Sequence, residues 1–327
     1  MIEVVQAGLE TSVQDFPGRI GYLEQGFPPS GPMDSWSFRL ANLLVGNPAE
    51  AAGLECQFLG PTLTFHSDSA IAITGADMTP TLDGESVPAY ETIHVKAGQT
   101  LAMSGAVFGA RAYVAVSGGI DTPLIQGSRS TFHMAGIGGV DGGALKAGQS
   151  IPIGSSTLPK RFRVLDDNRP PIHREPVWDI EVVRGPNDDW IDEAGHEVFF
   201  GSDWKLSAKS NRTGLRLEGP PITFSSKATN KPAEHGEDPS NILDHGYPFG
   251  AVNLAGQTPI ILANDGPSAG GFINPYTVPT ATFWKLAQSR PGQTYRFVDV
   301  SVSEAQILRR QEDAHCMVSS LEVILLR

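Results

Sequence analysis

Cysteine is scarce in this 327-residue chain: Cys56 and Cys316 are the only two. They are too few to staple a chain of this size, and their spacing fits no zinc or redox motif. Basic residues are in the minority, 24 Lys and Arg against 36 Asp and Glu, for a formal net charge of −12. A nucleic-acid binder needs a basic face to displace counterions from phosphates, so that class is set aside. No uninterrupted apolar run approaches the roughly 20 residues of a membrane span. The opening MIEVVQAGLETSVQD carries Glu3 where an export signal is basic and has no long apolar centre, so a cytoplasmic location is expected. GIGGVDGG (136–143) lacks the Lys-Ser/Thr of a phosphate loop, and no autonomous hydrolysis is expected. His235, Asp238, Asp244 and His245 match no recognised ligand spacing, and no metal is expected.

What the chain does hold is turn chemistry. Its 36 Gly and 25 Pro, with few long helical patterns, predict a mainly β chain of short strands. Asp34 can cap a helix over 35–45, stopped by Gly46 and Pro48, and Pro279-Thr280 opens another over 281–288. A third, from 303 to about 321, sets Ile307, Leu308, Ala314, Met317, Val318 and Leu321 opposite charged Glu304, Arg309, Arg310, Glu312 and Asp313. Such a stripe requires a partner surface.

An internal echo divides the chain. GPTLTF (60–65), IAITGAD (71–77) and KAGQTLAM (96–103) are followed in the same order by GPPITF (219–224), IILANDG (260–266) and RPGQTYRF (290–297), and KAGQSIPI (146–153) repeats the turn. Between the halves, STLPKRFRVLDDNRPPIHREPV is rich in Pro and charge. These features predict two related β domains, 1–160 and 178–300, a linker or surface excursion over 161–177, and a C-terminal helix and tail over 301–327.

Polar residues and glycines crowd 238–275, at the mouths of two strand-like runs. Gly250-Ala251-Val252-Asn253 leads into Leu254, and Pro259 to Ala263 ends at Asn264-Asp265-Gly266-Pro267-Ser268. A strand delivering Asp, Ser and paired Gly to one end can gather a carboxylate and bare backbone N–H groups around a small polar ligand. The same residues are also the usual formers of a long loop.

Several long motifs in order carry a resemblance. GLETSVQDFPGRIGY (8–22), GFPPSGPMDSWSFRLANLLVGNP (26–48), GARAYVAVSGGID (109–121) and GSRST (127–131) resemble the biotin-dependent carboxyltransferase family, also called allophanate hydrolase subunit 2. In the second half SNRTGLRLEGP (210–220), DPSNILD (238–244) and GAVNLAGQTPIILANDGPSAGGF (250–272) are most similar to the carboxyltransferase region of urea carboxylase and urea amidolyase. The branch formed by the C component of 5-oxoprolinase tends to an Asp in the Ser-Asn-Arg triplet and a Gln-containing segment in place of Gly-Ala-Val-Asn, so Asn211 and Asn253 tilt toward the urea branch. PAEHGED (232–238) departs from the Gly-rich approach usual in the family.

The resemblance implies two cyclophilin-like β-barrel domains and a partner of the allophanate hydrolase subunit 1 type. It also implies carboxyl transfer from carboxybiotin to urea or a similar amide or guanidine compound. With no Met-Lys-Met segment and no phosphate loop here, biotin carboxylase and the biotinyl carrier protein are expected on other chains. Transfer leaves a ureido anion that needs hydrogen-bond donors. Ser268 and the N–H groups near Gly270-Gly271 or Ser117-Gly118-Gly119 suit that role. Asp265 can accept from substrate N–H groups, Asn211 or Asn253 can bond both ends of urea, and Arg212 or Arg129 can hold a carbonyl or carboxylate. A C-type component of an ATP-dependent 5-oxoprolinase complex and a non-catalytic regulatory module remain as alternatives.

Overall fold

In a computed structural model, which describes residues 1–325, the chain divides into two compact units. The first comprises 1–20, 29–174 and 311 onward, and the second 21–28 and 175–310.

The strands of the first unit are, in chain order, β1 (Ile2–Gln6), β2 (Glu10–Gln14), β3 (Gly53–Gln57), β4 (Thr62–Phe65), β5 (Ser69–Asp77), β6 (Thr81–Leu82), β7 (Glu85–Ser86), β8 (Ile93–Val95), β9 (Thr100–Ala102), β10 (Phe108–Val116), β11 (Ser150–Ile151) and β12 (Phe162–Val164). They form a six-stranded sheet, β11-β1-β4-β9-β6-β7, and a five-stranded sheet, β2-β3-β10-β5-β8. One apolar cluster joins them: Ile2, Val4, Leu63, Phe65 and Leu101 from the first, and Val13, Leu54, Ile73, Ala112 and Val114 from the second. Helix α1 (Ser35–Leu44) follows Asp34, whose carboxylate accepts from the Ser37 N–H at 2.8 Å. That bond satisfies one of the free amides of the first turn. Beneath it, the Tyr113 hydroxyl donates to buried Glu55 (2.9 Å) and accepts from the Asp34 N–H (2.8 Å).

The second unit is a closed barrel, in the order β13 (Val177–Arg184), β20 (Tyr276–Thr277), β17 (Ala251–Ala255), β18 (Thr258–Leu262), β15 (Gly214–Glu218), β14 (Trp204–Leu206) and β21 (Thr294–Asp299). β16 (Asn241–Gly246) and β19 (Ala269–Phe272) pair as a separate ribbon. Helix α2 (Glu193–Gly201) stacks Phe199 on Tyr276 (centroids 3.9 Å) and on Phe297 (4.3 Å). Short helices α3 (Ser226–Thr229) and α4 (Phe283–Gln288) follow in sequence. α5 (Val302–His315) runs across the division between units, and β22 (Leu321–Val323) pairs antiparallel with β12. The chain is thus mainly β, with few and mostly short helices, none among the described residues long and apolar enough to cross a membrane.

Within the 161–177 segment, expected as a linker or surface excursion, Phe162–Val164 pairs as a strand of the first unit, which continues to Arg174. Two other expectations need revision. The α5 stripe is not an apolar seam. Ile307 is 47 % exposed and Met317 and Val318 are exposed, while Glu312 is buried, its Oε1 2.6 Å from the Arg39 guanidinium; Asp313 pairs with the same group at 2.6 Å.

The echo, finally, is one of turns and not of pairing. GPTLTF forms β4, but GPPITF forms no strand, only a bridge from Phe224 to Ile191. β9 is antiparallel to both neighbours, whereas β21 is parallel to β13. What recurs is a tight turn: Gly98, Gly148 and Gly292 all have φ between 84 and 90°. In each, the following Gln turns back so that its Oε1 accepts the N–H of Lys96 (2.9 Å), Lys146 (2.7 Å) or Arg290 (2.7 Å). Sequence similarity there reports the needs of a corner, which any two strands can use.

Candidate functional site

Alternation along β15, β18 and β17 assigns one face to the barrel interior and the other to a cavity. Leu215, Ile261 and Val252 lie in one cross-strand row and are buried. The neighbouring rows pair Gly214 with Leu262, and Ile260 with both Arg216 and Asn253. These residues share the opposite face. Over them lies the β16-β19 ribbon and the Tyr247 that follows β16, enclosing a cavity of about 380 Å³. Its polar lining is Lys209, Asn211, Thr213, Arg216, Tyr247 and Asn253, and its apolar wall is Ile260, Leu262, Pro267, Ala269 and Phe272.

Asn253 is the unusual member. It is 3 % exposed, and its Oδ1 is buried without a hydrogen-bond partner. A buried amide oxygen left unpaired costs on the order of 1–3 kcal/mol, a cost that a ligand N–H at the cavity would remove. Its position is set by Gly250, which turns the chain into β17 with φ of 84°. A Cβ at that residue would stand 2.3 Å from the Val278 carbonyl oxygen. Tyr247 is held by its N–H, which donates to the Ser268 carbonyl (2.8 Å), and by its hydroxyl oxygen, which accepts the Phe272 N–H (2.7 Å). Burial is the main influence on that phenol and pushes its pKa up, so its O–H keeps its proton at neutral pH. Lys209 and Arg216 supply positive charge, and no carboxylate lines the cavity. The arrangement suits a small polar ligand that carries an N–H for Asn253 and oxygen atoms for the cations and Tyr247.

Of the candidates read from the sequence, Asn253, Asn211, Gly270 and Gly271 line this cavity. Asn211 Oδ1 accepts the Thr213 N–H (2.8 Å), fixing the turn into β15. Gly270 lies flat beneath Tyr247, where a Cβ would come within 2.8 Å of the hydroxyl oxygen. Arg212 and Asp265 are turned to one another: the guanidinium donates to both carboxylate oxygens, at 2.9 and 3.3 Å, and neither residue lines the cavity. Ser268 contributes its backbone carbonyl to Tyr247 and is likewise outside the lining. Arg129 belongs to the first unit, where it pairs with Asp121 at 2.6 Å.

Lys209, Arg216 and Tyr247 escape a reading of the sequence, because exposed cations near a strand look like a solvated face and a lone Tyr like core. Their signal is positional: Arg216 shares the strand parity of Gly214, and Tyr247 sits inside the polar 238–275 stretch. Among the described residues no group of three or more His, Cys, Asp or Glu side chains is placed to hold a metal.

Residues 25–299 match the family described as "Carboxyltransferase domain, subdomain A and B". The chain belongs to that family. It is 40 % identical over 319 residues to the urea amidolyase of Saccharomyces cerevisiae, covering 95 % of this chain and 17 % of that protein. It is 36 % identical over 319 residues to the C component of the 5-oxoprolinase of Escherichia coli, covering 96 % of both. The crystal structure of the Kluyveromyces lactis urea amidolyase superposes with a TM-score of 0.91 at 38 % identity, over all of this chain and 20 % of that one. The chain therefore spans about a fifth of the length of the urea amidolyases it matches.

Proposed function

We propose that this carboxyltransferase-family chain transfers a carboxyl group from carboxybiotin, held on a biotinyl carrier protein, to the nitrogen of urea or a related amide or guanidine compound. The observation that carries the reading is Asn253, a buried amide whose acceptor atom lacks a partner inside a cavity walled by cations and apolar side chains. Those residues suit carboxybiotin: Ile260, Leu262 and Phe272 for a fused-ring body, and Lys209 and Arg216 for a carboxylate. When bound, that group supplies a carboxyl already activated on a ureido nitrogen.

The chain's own residues would do the rest. Asn253 Oδ1 accepts an N–H of the acceptor and aims its nitrogen. Asn211 closes the other side. Lys209 and Arg216 balance the negative charge of the carboxylate, and the Tyr247 O–H donates to oxygen as charge develops on it, a task that a donor fixed in advance performs at little reorganisation cost. Arg212 and Asp265 act as a positioning pair, joining the turn before β15 to the end of β18. Biotin carboxylase and a subunit of the allophanate hydrolase subunit 1 type complete the assembly.

A second reading has its own support, the match over 96 % of both chains to the C component of 5-oxoprolinase. A lactam carrying a carboxylate also fits the two cations. Reconstitution decides between them: the chain combined with its subunit 1-type partner, biotin carboxylase and biotinylated carrier is expected to show urea-dependent ATP cleavage. Turnover of 5-oxoproline without biotin, and none with urea, would establish the second reading instead.

A further inference from the structure

A second cavity in the barrel unit lies away from Asn253, beside Trp190 and the segment 226–235. It is open, about 460 Å³, and lined by Trp190, Ser226, Lys227, Asn230, Lys231 and His235. In a chain of net charge −12, this lining holds two lysines and a histidine and no carboxylate. The floor is the Trp190 ring, with the Lys227 and Lys231 ammonium groups each 5.7 Å from its centroid. An electron-rich indole face attracts such groups and holds them together against their mutual repulsion. His235 stacks over the same ring, with centroids 6.0 Å apart and planes at 14°, and its Nδ1 is buried without a hydrogen-bond partner.

The lysines keep donors in reserve. Lys231 Nζ donates to the Asp238 carbonyl and, at 2.7 Å, to the Asn241 carbonyl, which leaves the third of its three N–H bonds. Lys227 Nζ reaches one acceptor, Asp189 Oδ2, at 2.5 Å. Asn230 and Ser226 add an amide and a hydroxyl at the rim. We propose that this cavity binds a small oxyanion, a phosphate or a carboxylate, whose oxygens take the spare donors of Lys227 and Lys231 and a proton on His235 Nδ1. Burial pushes the Lys231 ammonium toward its neutral form, with Asp238 partly opposing it; an anion in the cavity would relieve that penalty.

The test is titration of the intact chain with inorganic phosphate and, separately, with acetate, at ionic strength held constant by sodium chloride, followed by calorimetry and by the His235 ring resonances. Saturable one-site binding of one or both anions is expected, weakened at least tenfold in Lys227→Ala and in Lys231→Met; which anion saturates identifies the ligand class. Lys227 is half exposed, so its variant leaves the fold intact even where Lys231→Met loosens the Asp238 and Asn241 carbonyls. Lys96→Ala, in the first unit, should leave the titration unchanged. The inference fails if neither anion saturates, if binding survives Lys227→Ala undiminished, or if Lys96→Ala is the change that abolishes it.

Discussion

Asn253 and Tyr247 bring polar groups with unused hydrogen-bonding capacity to the candidate cavity. The amide oxygen is shut away from water with no protein donor, and the phenol oxygen spends its acceptor capacity on the Phe272 N–H while its own proton points to no acceptor among the described residues. Both therefore favour a bound ligand. Asn253→Ala should leave thermal unfolding nearly unchanged, since it removes an unpaired atom, and lower turnover of the reconstituted complex by about 10²–10³. Tyr247→Phe keeps the ring but strands the Phe272 N–H, so it should cost about 1 kcal/mol of stability as well as activity. Normal turnover in both variants would remove the cavity from the reaction. Arg212 and Asp265 are a different lesson. In sequence each looks like a group waiting for substrate, yet 53 positions apart they answer one another, a pairing that nothing in the local pattern announces.

At the scale of elements, β17 reaches its register through Gly250. Any side chain there meets the Val278 carbonyl and must also adopt a left-handed backbone, so Gly250→Ala should destabilise the second unit by about 2–4 kcal/mol. A midpoint of denaturation that does not move would show that the turn can relax. Helix α1 is legible from Asp34 alone, because a capping side chain is a local device. The 238–275 stretch, which supplies much of the lining of the candidate cavity, stands out for a similar reason: glycine and amide residues at strand mouths have few purely structural uses in combination. By contrast α2, with Asp192 at its start, gives too short a pattern to stand out, and α5 misleads. Counting Glu312 with the solvent face is reasonable for a helix in isolation, but its buried partner Arg39 is 273 positions earlier, and desolvated ion pairs leave no periodic trace. The repeated Gly-Gln turn misleads in the opposite direction, since a strong local signal imitates a shared topology.

The molecule as a whole buries several weakly acidic groups in neutral form. Burial, as the leading cause, lifts the Cys56 and Cys316 thiols to about 12 from an ordinary value of 9.0, and raises the Tyr90, Tyr113 and Tyr276 phenols. On unfolding these groups regain their ordinary acidity, so as pH rises past 9 the unfolded chain loses protons first and stability falls. The contribution of Cys56 is complete below pH 9 and disappears by about pH 12, at roughly 1.4 kcal/mol per pH unit between. The melting temperature should be flat from about pH 7 to 8.5 and decline ever more steeply above about 9. Cys56→Ala should show a shallower decline from about pH 9 to 10; an identical slope would mean that Cys56 ionises freely in the native state.

The division of the chain into units also has a consequence in time. The first unit is written in pieces, and residues from 311 onward, including Glu312 and β22, return to it after the whole barrel of the second unit has been specified. A ribosome making this protein vectorially has the second unit's strands complete while Arg39 and the edge of β12 still await their partners. The first unit to be started is therefore the last to be closed, and for the interval between, a nascent-chain chaperone would find its open edge at β12.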